Sequence, residues 1–160
     1  MSNILLTIYL IIKISYPSSD IKSIQQYNQI VENAFQSYCF LDIEYGLTTV
    51  DSLADIVIYP EFDLSFQKNL IGYTNGTIGQ NPKFYGRCMI LLSKDLDTLQ
   101  KVIILRHELY HAFIGAYHNI YDTNSLMYPE YSGSNNELSR SDSLYIRSNF
   151  LIDYTRLNVD

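Results

Sequence analysis

The sequence has no tryptophan, two cysteines and three histidines among its 160 residues. Two thiols without a CxxC pattern exclude a disulfide framework, so we interpret Cys39 and Cys88 as free, half-buried thiols, with a single bridge as the less favoured alternative. Positive charge is also scarce, because 11 Lys and Arg stand against 17 Asp and Glu. The formal net charge of −6 argues against a nucleic-acid partner, which usually requires a basic face. It is compatible with bound Ca²⁺, although no acidic loop has the EF-hand pattern.

A long hydrophobic run is missing as well. The apolar stretch 3–12 (NILLTIYLII) is shorter than the roughly 20 residues that a membrane helix needs, so we expect no membrane span. The stretch could be the h-region of a signal peptide, but it lacks a basic n-region and a small-x-small cleavage site. Its β-branched composition and the Tyr16-Pro17 boundary favour a buried β-strand.

The remaining pattern predicts one domain over residues 1–160, since 47% hydrophobic content suffices for a core. Apolar residues at helical spacing predict a first helix from about Asp20 to Tyr38, capped by Ser18, Ser19 or Asp20. The predicted strands are 41–45, 54–59 and 87–92, and Pro60 should end the second of them. The Gly-rich stretch 72–86 predicts turns around short extended pieces.

Two further helices are predicted. The segment 99–114 is apolar on nearly all sides and should be buried. The segment 138–150 should begin at Ser139 and direct Leu144, Tyr145 and Ile146 inward. The element order β-α-β-β-(β)-β-α-loop-α predicts an α/β (α+β) domain with a mostly parallel sheet.

All three histidines fall within residues 107–118, and His107-Glu108-Leu109-Tyr110-His111 is an HExxH pattern on the second predicted helix. The i, i+4 spacing places both imidazoles on one face, where their nitrogens can reach one ion. Neutral imidazole is a good zinc ligand, whereas burying two histidines and a glutamate without a partner is costly. We therefore predict a Zn²⁺ site with Glu108 as general base for a zinc-bound water.

The third ligand requires a turn in the chain. In a straight helix His118 would lie about 10 Å beyond His111, too far for one ion to bind both. Gly115 can adopt the positive φ that permits a reversal, which favours His118 as the third ligand. The retained alternatives are Glu130, Glu137 and Asp122.

The segment HELYHAFIGAYH, followed by Ser125-Leu126-Met127-Tyr128-Pro129, resembles the metzincin clan of zinc peptidases and its matrixin family in particular. The family's Tyr-Pro strand end, Ala-Asp-Ile strand and Leu-Ser-x-x-Asp helix start also have similar counterparts, so the resemblance covers most of the chain. It implies a twisted, mostly parallel sheet of about five strands with one antiparallel edge strand, and two long helices. It further implies an upper lobe of about 1–114 and a small lower lobe of about 115–160 with a Met-turn and a final helix.

The resemblance also implies residue roles. The metal ligands would be His107, His111 and His118, and the general base would be Glu108. Met127 would form a hydrophobic floor under the zinc, and Pro129 and Tyr131 would line the pocket for the substrate residue after the scissile bond.

The sequence departs from the family pattern in the spacing between the second histidine and the glycine that follows it. Matrixins have glycine three residues after the second histidine, whereas Ile114 intervenes here and moves glycine to Gly115. Strict register would place Tyr117, not His118, at the third-ligand position. One extra helical residue or a π-bulge would absorb the insertion. With no further histidine, the family's second, structural zinc site cannot form in its usual way.

These features predict a zinc-dependent endopeptidase that acts as a monomer on protein or peptide substrates, outside the cell by analogy with the family. One alternative is an HExxH peptidase with a glutamate as third ligand, as in thermolysin-like enzymes. The other is a non-catalytic zinc-binding interaction module. Glu108 argues against the module, since a structural site has no use for that carboxylate and usually closes with four protein ligands.

Overall fold

A computed structural model of the chain describes residues 8–67, 69–78, 88–133 and 135–150. Its strands are β1 (Ile8–Ile14), β2 (Ile43–Thr48), β3 (Ile56–Phe62), β4 (Gly72–Asn75) and β5 (Cys88–Ser93). They form one sheet in the order β2-β1-β3-β5-β4. All neighbours are parallel except β4, which runs antiparallel to β5 at the edge. The predicted α/β class with about five mostly parallel strands is confirmed.

Three helices accompany the sheet: α1 (Ile21–Phe35), α2 (Thr98–Ile114) and α3 (Arg140–Phe150). Asp20 caps α1 by accepting a hydrogen bond from the Ser23 N–H. Asp97 caps α2 through a reciprocal pair of hydrogen bonds with Gln100, which satisfies backbone groups that a helix start leaves open. Among the described residues, no helix combines the length and the apolar character that crossing a membrane requires.

The described part of the N-terminal apolar stretch lies inside the sheet, beside the central strand β3. From Ile8 onward it is strand β1, which pairs with β2 on one side and β3 on the other. The strand prediction is thereby confirmed for residues 8–12, and residues 3–7 lie outside the described part of the chain.

Pro60 does not end β3, contrary to the prediction. The strand continues to Phe62, although its pairing with β1 ends at Ile58 and its register with β5 shifts after Tyr59. Proline lacks the N–H that a regular ladder needs, and an irregular stretch that is paired on one side tolerates it.

The prediction that three consecutive residues of α3 face inward was wrong for two of them. Ile146 is fully buried, whereas Leu144 is 57% and Tyr145 43% exposed. Successive helical residues are rotated by about 100°, so three in a row cannot share one face.

Helix α2 is enclosed, as its composition predicts. It packs against α1, β4 and β5. The Tyr38 hydroxyl donates a hydrogen bond to the Arg106 carbonyl, which joins the chain after α1 to the middle of α2. A helix held from several sides provides a rigid base for the histidines that it carries.

Both cysteines are free, as predicted, but they are not equally buried. Cys39 is exposed, whereas Cys88 is buried at the start of β5. Burial raises the pKa of the Cys88 thiol to about 12, so this thiol stays protonated at neutral pH.

Candidate metal centre

The three histidines meet at one point. His107 and His111 lie one turn apart on α2, and their Nε2 atoms are 3.0 Å apart. The ring of His118 lies 4.8 Å from that of His111 and 5.3 Å from that of His107, measured between centroids. One nitrogen from each ring lies within 4.8 Å of the others. Among the described residues this is the one group of three or more potential His, Cys, Asp or Glu ligands.

Gly115 brings His118 back towards the helix. Helix α2 ends at Ile114, and the Gly115 N–H donates to the His111 carbonyl at 2.8 Å. Gly115 has φ 89° and ψ −156°, a region that is essentially restricted to glycine. The extra residue Ile114 is therefore absorbed as the last α-helical residue, and the chain reverses directly after it.

Tyr117 lies away from the histidines, so the strict family register is not adopted. Its ring stacks on Tyr145 at 4.3 Å and on Tyr110 at 5.5 Å, both measured between centroids. Its hydroxyl approaches the Asp142 carboxylate at 3.4 Å. The side chain thus packs between α2 and α3 and leaves the cluster to His118.

Two backbone carbonyls fix the protonation of the helix histidines. His107 Nδ1 lies 2.7 Å from the Leu126 carbonyl oxygen, and His111 Nδ1 lies 2.9 Å from that of Gly115. Since a carbonyl only accepts hydrogen bonds, each Nδ1 carries a proton and donates it. In the neutral rings Nε2 is then a lone-pair acceptor, as metal-binding histidines require.

The charge state and spacing of the three rings suit a cation between them. Burial lowers the pKa of His107 to about 4, and it also lowers the pKa of His111 and of His118. Imidazolium is therefore disfavoured at neutral pH, and two Nε2 lone pairs 3.0 Å apart repel each other. A tetrahedral zinc ion with Zn–N bonds of about 2.0–2.1 Å separates two nitrogens by roughly 3.3 Å. The separation of the His107 and His111 nitrogens is thus close to what such an ion requires, and a nitrogen of His118 lies within 4.8 Å of both.

Glu108 lies beside this cluster but is not part of it. Its side chain is buried, with 6% exposure, and burial raises the pKa of the carboxyl group to about 7. The Thr74 hydroxyl lies 2.6 Å from Glu108 Oε2. A carboxylate with such a pKa can both accept and return a proton near neutral pH.

The histidines and Glu108 open onto a cleft of ≈ 1440 Å³. This exceeds the roughly 300–1,000 Å³ of small-ligand pockets and suits an extended chain. Strand β4 lines one part of it, and Pro129 and Tyr131 line another. Met127 is fully buried in the core and follows Leu126, whose carbonyl contacts His107.

The residues retained as alternative third ligands are not part of the histidine cluster. Glu137 pairs with Arg106 at 3.0 Å, and Asp122 accepts a hydrogen bond from the Asn124 N–H. Glu130 lines the cleft and is exposed. None of the three belongs to the group of potential metal ligands that the described residues form.

Asp142 of α3 holds the loop that contacts His107. This carboxylate is fully buried. It accepts hydrogen bonds from Ser125 Oγ, Ser139 N–H and Oγ, and Asn119 Nδ2. The Ser125 hydroxyl in turn accepts the Met127 N–H at 2.9 Å. Asp142 therefore fixes the segment that presents the Leu126 carbonyl.

We expect Asp142→Ala to lower the free energy of unfolding by about 3 kcal/mol or more, because several buried donors would lose a charged acceptor. Urea denaturation of the metal-free protein measures the effect. Asp122→Ala is the matched control, since within the described residues the Asp122 carboxylate accepts one hydrogen bond, from a neighbouring loop N–H, and it should cost below about 1 kcal/mol. Equal losses in both variants would contradict the role of the buried network.

Sequence reasoning missed three contributors to this site: Thr74, Gly72 and the buried side chain of Asp142. Glycine in an extended piece is a signal of close backbone approach, which could have indicated Gly72. The contacts of Thr74 with Glu108 and of Asp142 with Ser125 join residues distant in sequence, and local patterns carry no signal for them. The contact of Asp142 with Ser139 is different, because Ser-x-x-Asp is a local pattern of helix starts.

No protein-family model matches the chain, and a search of curated proteins gives no match. The metzincin resemblance therefore rests on the motif residues themselves.

Proposed function

We propose that this chain is a zinc-dependent endopeptidase of metzincin-like, matrixin-like design. The observation that carries the proposal is the pair of Nε2 atoms 3.0 Å apart on rings whose Nδ1 protons are held by carbonyls. His118 completes a three-nitrogen set. Three protein ligands leave a fourth position open, as in catalytic rather than structural zinc sites.

Glu108 supplies the proton transfer in this proposal. A bound zinc ion would polarise a peptide carbonyl and lower the pKa of water. Glu108, which is adjacent in sequence to His107 and lines the cleft, would accept the proton of the attacking water and donate it to the leaving amine. Its pKa of about 7 suits both steps, since the carboxyl group changes protonation state near neutral pH.

The shape of the cleft supports a peptide substrate. Strand β4 lies at the edge of the sheet and lines the cleft, and edge strands can pair with an extended peptide. On the other side, Pro129 and Tyr131 offer a surface for a substrate side chain, in line with the role that the matrixin resemblance implies. Met127 would support the zinc site from the core.

Zinc content and peptide cleavage of the wild-type protein test the proposal together. We expect one zinc per chain and cleavage of casein or a generic peptide that a chelator abolishes and zinc restores. Zinc without cleavage would favour the non-catalytic binding module. The absence of both zinc and cleavage would overturn the proposal.

A further inference from the structure

Strand β4 contacts the proposed general base through a hydroxyl group. Thr74 Oγ1 lies 2.6 Å from Glu108 Oε2 and 3.0 Å from the Glu108 main-chain oxygen. A hydroxyl has one proton to donate, and the shorter distance is that of a charge-assisted bond to a carboxylate oxygen. Thr74 on strand β4 is therefore a hydrogen-bond partner of the Glu108 side chain from a neighbouring element.

Gly72 makes this close approach possible. A Cβ atom at Gly72 would lie 2.5 Å from Ile104 Cγ2 and 2.6 Å from Glu108 Oε1, which are closer than real Cβ contacts. Residues two apart on a strand face the same side, so Gly72 and Thr74 both face α2, while Tyr73 between them is exposed. Glu108 Oε2 accepts the hydrogen bond from the Thr74 hydroxyl, and Glu108 Oε1 lies next to the position where a side chain at residue 72 would begin.

We propose that Thr74 is a positioning residue for Glu108, which rests on the proposed peptidase function. The hydroxyl holds Oε2 and fixes the orientation of the carboxylate on the wall of the cleft. The missing side chain at Gly72 lets the Glu108 carboxylate lie this close to strand β4, since a Cβ there would clash with Oε1. Thr74 therefore acts through Glu108 on the chemical step and not on metal or substrate binding.

The kinetic test compares Thr74→Val, which keeps the shape and removes the donor, with Thr74→Ser, which keeps the donor. We expect Thr74→Val to lower kcat by about tenfold to a hundredfold with KM and zinc content unchanged, because misplacing a catalytic group by about 1 Å can cost 10²-fold. Thr74→Ser should recover most of kcat. If the wild-type protein cleaves peptides and Thr74→Val has an unchanged kcat, the inference about Thr74 is overturned and the proposed function stands.

A second measurement needs neither metal nor activity. In the metal-free protein, Thr74→Val should lower the denaturation midpoint, and this drop should be smaller in a Glu108→Ala background, where the hydroxyl keeps only the main-chain oxygen of residue 108 as acceptor. Equal drops in both backgrounds would show that the two side chains are not coupled and would overturn the inference. Absence of cleavage by the zinc-loaded wild-type protein would overturn the proposed function and this inference together.

Discussion

We expect Glu108→Gln to lower kcat/KM for peptide cleavage by about 10²–10⁴-fold, the range that general acid–base catalysis contributes. The amide keeps the size of the side chain and can still accept a hydrogen bond from Thr74, but it cannot take a proton from water. Because Glu108 lies outside the group of potential ligands, zinc content should stay that of the wild type. Steady-state kinetics on a fluorogenic peptide, with metal analysis of the same preparation, measures both.

The matched control for this variant is Glu137→Gln. Glu137 is also a glutamate near α2, but its carboxylate pairs with Arg106 and its side chain is 72% exposed. An ion pair whose carboxylate is exposed contributes little, so cleavage and zinc content should both persist. If Glu108→Gln cleaved as fast as this control, Glu108 would not be the general base.

His118→Ala should lose zinc and cleavage together. Removing a direct ligand should weaken zinc binding by more than about 100-fold, since losing an outer hydrogen-bond partner alone costs 10–100-fold. Competition with a chromophoric chelator gives the zinc affinity of each variant. Because His118 is exposed, its loss should leave the core intact, and the far-ultraviolet circular dichroism should not change.

Tyr117→Phe separates the two possible registers of the third ligand. In the structure, Tyr117 stacks between Tyr110 and Tyr145, and phenylalanine can keep that packing. We expect zinc affinity to be unchanged in this variant. Zinc lost in Tyr117→Phe but kept in His118→Ala would restore the strict family register, and zinc kept in both would point to a glutamate or aspartate ligand.

The parts of the fold that the sequence predicted are those with strong local signals. The buried stripe of α2 follows from residue spacing alone, and side-chain chemistry predicted a cap of α1 at Ser18, Ser19 or Asp20, of which the structure uses Asp20. The Pro60 prediction failed because a strand can pass a proline where its pairing is irregular, and pairing is a property of the whole sheet. Strand β4 has only four residues, too few for a periodic pattern.

The histidine cluster likewise has features that the sequence predicted and features that it could not predict. The spacing of His107 and His111 on a helix predicted their shared face. The long distance that a straight helix would put between His111 and His118 predicted a reversal at Gly115. The sequence could not predict the carbonyl of Leu126 or the hydroxyl of Thr74 as partners of the site. Those contacts depend on how separate elements pack against α2, which spacing along one segment does not encode.

All three imidazoles of the cluster come from one short segment, residues 107–118. Closing a short loop costs little chain entropy, and each doubling of loop length adds only about 0.6 kcal/mol. The unfolded chain can therefore gather the same side chains around an ion, although less tightly than the native helix and turn do. Ligands that bind the unfolded state as well as the native state stabilise the fold less than their native affinity alone would give. Zinc would thus protect this domain against unfolding more weakly than a site assembled from distant parts of the chain.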